Sequence, residues 1–193
     1  MVCATGATWD RTGFSPGRPG LERVPGVDAP YVVDIAAAVE AALADARSLG
    51  TSIVFVDESR EYLPLGLAEL VSDADVRVEI VTRRPVVGEL TQLALDGPHV
   101  LGRLASREVK LTPGHWLDTV EDHTVMLSET WSGRRRTIEG VSTVVLAMLR
   151  TPEDALYRNL SGRVAKLMLV GDALAPRRTV EVIYEGEKIG REL

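Results

Sequence analysis

The segment that most constrains this chain is Ser52-Ile53-Val54-Phe55-Val56-Asp57. It is an unbroken apolar run rich in β-branched residues. It is too short for a helix and has no polar alternation, so it reads as a strand buried on both faces. A helical stretch follows at Leu65 to Val71, and Val76 to Val81 supplies a second strand. The whole unit is about thirty residues long, the size of a strand–helix–strand crossover in a parallel sheet. Parallel sheets need helices on their faces, so the spacing predicts an α/β protein.

The rest of the chain fits that scheme. Val2 to Ala4 reads as a very short strand running into a turn at Gly6. Arg11 to Pro30 is rich in proline and glycine and reads as one long irregular connection. Asp34 is placed to cap a helix through Ile35, Val39, Ala42 and Ala46 that Gly50 stops. Glu89 to Leu104 is helical with a break at Gly97-Pro98, and Val109 to Leu111 is a short strand. From Trp116 to Glu139 the pattern alternates, and Trp131-Ser132-Gly133 between two such segments signals a hairpin. Val141 to Ala147 and Val164 to Val170 read as further buried strands. Asp154 to Asn159 reads as a short helix begun by Pro152. Val180 to Leu193 closes the chain as a helix with Val180, Ile183, Tyr184 and Ile189 as its apolar positions.

Composition removes several classes of function. The net charge of −6 argues against a nucleic-acid partner, which needs a basic surface. No apolar run approaches the ~20 residues of a membrane span, and the first residues lack the pattern of a signal peptide. A single cysteine, Cys3, rules out a disulfide framework and a cysteine-rich metal site. The expected address is the reducing cytoplasm.

Gly171-Asp172 stands where a strand passes towards a helix that begins near Arg178. A glycine there permits close backbone approach. The helix start offers free N–H groups and a positive dipole end to a pyrophosphate, and Asp172 can bond a ribose or ribityl hydroxyl. The same residues also serve as a plain strand-to-helix turn with an acidic cap. Arg177 and Arg178 can neutralise phosphate, pair across a subunit contact, or simply open the helix.

Two motifs carry a family resemblance. Val2-Cys3-Ala4-Thr5-Gly6-Ala7 resembles the Ala-Thr-Gly motif of FAD domains in the pyridine-nucleotide-disulfide-reductase superfamily, and Val170-Gly171-Asp172 resembles its Gly-Asp motif. The continuation Ala173-Leu174-Ala175-Pro176-Arg177-Arg178, with Glu181, Ile183, Tyr184, Glu185, Gly186 and Gly190 after it, is more specific. It is similar to the C-terminal region of the trimethylamine dehydrogenase, dimethylamine dehydrogenase and 2,4-dienoyl-CoA reductase family. Members of that family fuse an old-yellow-enzyme barrel, with FMN and a 4Fe-4S cluster, to FAD-like and NAD-like domains. Val54 to Asp57, Leu67-Ala68-Glu69-Leu70 and Val81-Thr82-Arg83 also look like the amine-dehydrogenase branch.

The resemblance implies Rossmann-like nucleotide-binding domains of the disulfide-reductase type. Residues 1–49 and 142–193 would form a partial FAD- or ADP-binding domain, and 50–141 an inserted NAD-like domain with a β-meander. It implies cofactor contacts at Thr5, Gly6, Gly171, Asp172, Arg177, Arg178 and Thr179. The chain starts at its Ala-Thr-Gly strand, so the FAD-like domain is expected to be incomplete and to leave a strand edge unpaired. The resulting expectation is a small subunit in a hetero-oligomer. Its partner would be an old-yellow-enzyme-like flavoprotein holding FMN and 4Fe-4S, and FAD or ADP would sit at a shared site. A fragment of a longer protein would have the same sequence. Two alternatives stand beside it: an assembly subunit without nucleotide, and a free NAD(P)H-dependent reductase.

The NAD-like region departs from the dinucleotide fingerprint. After the Ser52–Asp57 strand the sequence runs Asp57-Glu58-Ser59-Arg60-Glu61-Tyr62-Leu63-Pro64-Leu65-Gly66, and only Gly66 falls where a fingerprint glycine could lie. Side chains at that turn block close approach to a pyrophosphate, and the acids repel it. Arg83 and Arg84 follow the second strand, where a 2′-phosphate could be read. Met148 and Leu149 replace the Thr-Gly of the family's Ala-Thr-Gly-Arg segment. His99, His115 and His123 lack metal-ligand spacing. No residue reads as a general acid, base or nucleophile, so no catalytic or metal residue is expected.

Overall fold

The computed structural model describes residues 1–72 and 76–192, and in it the chain divides into two units. One comprises Met1–Trp9 and Arg150–Leu193; the other is Asp10–Leu149. The first unit opens with strands β1 (Val2–Cys3) and β2 (Ala7–Trp9), separated by Gly6 at φ +81.

The larger unit begins with an irregular segment and then runs β3 (Val32–Asp34) straight into α1 (Ile35–Ala44). Asp34 caps α1 as expected, accepting hydrogen bonds from the N–H groups of Ala36 and Ala37. Next come β4 (Ser52–Asp57), α2 (Tyr62–Ser72) and β5 (Arg77–Val81). The expected helix break is real. α3 (Glu89–Leu93) stops before Gly97-Pro98, and the proline sits in the first turn of α4 (Gly97–Ser106), where it forfeits no helical bond. After β6 (Lys110–Thr112), a meander of β7 (His115–Glu121), β8 (Thr124–Glu129) and β9 (Arg135–Ile138) precedes β10 (Thr143–Ala147).

The main sheet has the order β3-β10-β4-β5-β6, with every pair parallel. All residues of β4 and β10 are buried, the pattern expected of central parallel strands. The antiparallel meander joins the sheet in one core cluster, in which Val54, Val81, Val144 and Leu146 lie with Leu117, Val125 and Leu127. Burying one such leucine contributes about 1.5–3 kcal/mol. The irregular segment before β3 packs into the same cluster through Val24 and Val27. Gly26 (φ +85) makes this possible: a Cβ there would lie 1.6 Å from the Val120 carbonyl oxygen.

Here the boundary expected from sequence needs correction. α1 and β10, placed with the flanking domain by residues 1–49 and 142–193, belong to the larger unit. β10 is hydrogen-bonded between β3 and β4, so Val144–Ala147 lies inside this sheet and the long connection belongs to the same unit. The unit's two ends meet, the Asp10 N–H donating to the Leu149 carbonyl at 2.9 Å.

The smaller unit resumes with β11 (Arg150–Pro152), α5 (Ala155–Leu160), β12 (Met168–Leu169), a single 3-10 turn at Gly171–Ala173 and α6 (Thr179–Gly190). β11 pairs antiparallel with β2, and β12 pairs parallel with β1. Pro152 therefore ends a strand instead of starting a helix. The long strand expected over Val164 to Val170 is reduced to two residues, because β1 offers only Val2 and Cys3 as partners. α6 begins one residue before the expected Val180 and ends at Gly190, short of Leu193, which lies outside the described residues. Its apolar positions Val180, Ile183 and Tyr184 are 70%, 66% and 69% exposed, since no described residue packs on that face. Among the described residues, no helix is long and apolar enough to cross a membrane.

Candidate functional site

The register Val2↔Met168 and Cys3↔Leu169 aligns β1 and β12 in parallel. Both strands therefore run out at the same end, one into Thr5-Gly6 and the other into Gly171-Asp172. That carboxyl end is where open α/β sheets hold ligands. Gly6 is required for its positive φ, and a Cβ there would meet nothing within 4 Å, so its backbone is open. The Thr5 hydroxyl donates to the Glu153 carbonyl, and the Glu153 N–H donates to the Gly6 carbonyl at 3.0 Å. Gly171 is also left-handed at φ +64, and a Cβ there would lie 3.4 Å from Val182.

Asp172 is held through both of its carboxylate oxygens. Arg150 donates to its Oδ2, and the Arg177 N–H donates to Oδ1 at 3.2 Å. Arg150 also donates to the Arg177 carbonyl at 3.0 Å and lies 5.5 Å from the centre of the Trp9 ring. Glu185 reaches back from α6 to accept the Gly171 N–H at 3.0 Å and an ion pair from Arg177. The Arg177 guanidinium holds the Glu185 carboxyl below the usual carboxylate range. Arg178, the residue before α6, pairs with Glu181 and lowers its pKa in the same way. No side chain caps α6, and the described residues give no hydrogen bond to the N–H of Thr179 or Val180. An uncapped helix start of this kind suits an anion.

The structure thus brings Thr5, Gly6, Gly171, Asp172, Arg177 and Thr179 into one unit, with Arg178 turned into a local pair at the helix start. Sequence reasoning missed Arg150 and Glu185. The signal for Arg150 was present, because it follows Met148-Leu149 as the arginine of the altered Ala-Thr-Gly-Arg segment. Glu185 stood in the family-like run after Arg178, but its contact with Gly171 could not be read there, because it depends on α6 folding back.

The strand end of the larger unit is built differently. The turn after β4 is closed by its own side chains. Asp57 Oδ1 accepts the Ser59 hydroxyl at 2.8 Å and the Arg60 N–H at 2.9 Å, while the buried Oδ2 meets the hydrogen-bond criterion with none of the described residues. Burial pushes the Asp57 pKa up to about 6. Glu58 accepts the Ser15 hydroxyl at 2.7 Å and pairs with Arg83. Arg83 and Arg18 each lie 5.4 Å from the centre of the Trp116 ring. The space left here, about 30 Å³, is that of a single water. Gly66 does not serve the turn at all, since it lies inside α2 against the Tyr62 ring. Arg83, the candidate reader of a 2′-phosphate, is committed to Glu58, and Arg84 lies 4.0 Å from Glu89. Cys3 is a buried core residue. His123 stacks on Tyr31 and bonds the Val141 carbonyl through Nδ1. The described residues contain no group of three or more His, Cys, Asp or Glu side chains able to hold a metal ion.

This is the Rossmann-like α/β fold of the pyridine-nucleotide-disulfide reductases. The HOCl-induced flavoprotein disulfide reductase RclA of Escherichia coli matches 98% of the chain at a TM-score of 0.64 and 14% identity, covering 44% of that protein. A nearer relative is dimethylamine dehydrogenase of Hyphomicrobium sp. (strain x), 25% identical over 220 aligned residues. The match takes in all of this chain and 29% of that enzyme. The 6-hydroxypseudooxynicotine amine oxidase of Pseudomonas geniculata N1 superposes at a TM-score of 0.88 with 25% identity over 98% of the chain, 28% of that protein. The resemblance to the amine-dehydrogenase branch is borne out, and the chain spans less than a third of the length of dimethylamine dehydrogenase and of the amine oxidase. No family model matches the chain.

Proposed function

We propose that the chain is the small, nucleotide-binding subunit of a heteromeric flavin-dependent oxidoreductase. The carrying observation is the parallel β1–β12 pair, whose carboxyl ends present Thr5-Gly6 and Gly171-Asp172 beside an uncapped α6. Gly6 leaves the backbone open to a pyrophosphate, and the Thr179 N–H is free to meet its charge. Arg177 and Arg178 add cations that a phosphate would share with Glu185 and Glu181. The nucleotide is ADP or FAD: ADP would serve a structural role, and FAD would relay electrons. The relatives named dimethylamine dehydrogenase and amine oxidase support an oxidoreductase, most naturally one acting on an amine.

The partner in this reading is an old-yellow-enzyme-like flavoprotein with FMN and a 4Fe-4S cluster, where substrate oxidation takes place. No residue of this chain takes a catalytic role, and the complex is cytoplasmic. The unpaired edge of β1 and the bare face of α6 support such a partner. Acid extraction of the purified complex, followed by chromatography of the released nucleotide, tests the reading. Stoichiometric ADP or FAD is expected. Asp172→Ala should weaken retention about tenfold to hundredfold, the value of one charged hydrogen bond.

A second reading has its own observation. Both Asp172 oxygens and the Gly171 N–H already have partners within the chain. If the intact complex releases no nucleotide, the turn is a structural lock and the chain an assembly subunit.

A further inference from the structure

β5 carries a charge in the middle of a parallel sheet. Glu79 is only 8% exposed, at a position where such strands normally bury an apolar side chain. It accepts the Thr112 hydroxyl at 2.5 Å and a guanidinium bond from Arg136 of β9, and Lys110 of β6 lies 3.5 Å away. Arg77 stands two residues earlier in β5 and so on the same face. Its guanidinium makes one hydrogen bond among the described residues, to the Ser52 hydroxyl at 3.2 Å. The other donors of the fork have no partner among the described residues.

Ser52, Arg77, Glu79, Lys110 and Arg136 line one cleft of about 430 Å³ beside β9. The volume falls in the usual range of small-molecule sites, about 300–1,000 Å³. The cleft lies at the amino ends of β4 and β5, the opposite end of the sheet from the closed Asp57 turn. Glu79 is saturated, so its role is to hold Arg136 and Lys110 in place before a ligand arrives, which lowers the ordering cost of binding. The lining holds three cations, Arg77, Lys110 and Arg136, against three carboxylates, Glu79, Glu108 and Glu139, so the attraction for an anion comes from the placement of the Arg77 fork and not from net charge. Glu108 and Glu139 also line the cleft and are exposed, so they oppose a highly charged ligand.

We infer that this cleft is a binding site for a small anion of the carboxylate or phosphate class, held by Arg77 and Lys110. Arg77 offers the planar fork that takes two oxygens of one anionic group, and Lys110 adds a point charge. The Ser52 hydroxyl, already fixed by Arg77, provides a neutral contact.

The test is calorimetric titration of the full chain with inorganic phosphate and, separately, succinate, at constant ionic strength held with sodium chloride. Saturable binding of at least one of the two is expected, and which one binds identifies the anion's source. Arg77→Met should weaken it about tenfold or more, the loss of a charged hydrogen-bonding group. Lys110→Met should weaken it less, and Glu139→Gln should tighten it. Melting curves without ligand report whether each variant is folded, and Lys110→Met with Glu139→Gln decide the matter if Arg77→Met is not. No saturable binding, or equal affinity across the folded variants, would overturn the proposal. The outcome is independent of whether the Gly171 turn holds a nucleotide.

Discussion

β10 is flanked by β3 and β4, and all five of its residues are buried; β1 pairs only with β12, and of its two residues only Cys3 is buried. The contrast extends to the whole of each unit. Asp10–Leu149 surrounds its sheet with helices and a meander. In Met1–Trp9 and Arg150–Leu193 the buried described residues are Cys3, Gly171 and Ala173, and α5 and α6 bury none. Parallel strands are stable when both faces are covered, and a two-residue ladder cannot supply that cover itself. The larger unit therefore carries the stability, and the smaller unit carries the open surface on which the proposed nucleotide and partner would act.

The largest expected effect separates the units outright. Residues 10–149 expressed alone should fold cooperatively, because their ends are already joined by the Asp10–Leu149 hydrogen bond. In the full chain without a partner, amide exchange at Met168 and Val170 should be fast while β4 and β10 stay protected. Equal protection in both regions would break the comparison.

Next in size come core substitutions. Leu146→Ala in β10 should cost about 2–5 kcal/mol in urea unfolding, whereas Ile183→Ala on the bare face of α6 should cost under about 0.5 kcal/mol. If a partner is added, the Ile183 variant should lose binding instead, and an unchanged complex would remove α6 from the interface.

A third measurement addresses the closed turn of the larger unit. The folded pKa of Asp57 is about 6 against an ordinary 3.8, so the native state holds the proton more tightly than the unfolded chain. Its contribution is favourable at acid pH and is lost as pH rises from about 4 through 6, leaving the full cost of a buried carboxylate above that. Asp57→Asn should flatten this dependence and raise stability at pH 7.5 by up to about 3 kcal/mol. The lost Ser59 and Arg60 geometry would reduce that gain. An unfolding free energy with the wild-type slope between pH 4 and 6.5 would mean another group titrates there.

The smallest effect concerns the ion pair from Arg177. Glu185→Gln keeps an acceptor for the Gly171 N–H while removing the charge. Its pair is partly exposed, so the melting temperature should fall by only a few degrees. Nucleotide retention should improve if Arg177 is thereby released towards a phosphate.

Much of this architecture was legible along the chain because it rests on local rules. The apolar run at Ser52–Asp57, the Asp34 cap, the break at Gly97-Pro98 and the hairpin signal at Trp131-Ser132-Gly133 all read the same in the folded protein. The degenerate turn after β4 was also visible, since missing glycines are a property of composition at known positions. Lost fingerprint residues need no tertiary information to be noticed.

What local rules could not decide is which strands become neighbours. Val144–Ala147 has the same apolar character whichever sheet receives it, and only pairing with both Val32–Asp34 and Ser52–Asp57 assigned it to the larger unit. In the same way Val180, Ile183 and Tyr184 show a helical apolar stripe in sequence, yet they face outward because no described element covers them. Arg150 and Glu185 reached the Gly171-Asp172 turn across 22 and 14 positions of chain, distances over which a hydrogen bond leaves no periodic trace. Side-chain type and spacing settle an element and its buried face; partners distant in sequence are settled by packing, which depends on the whole set of elements at once.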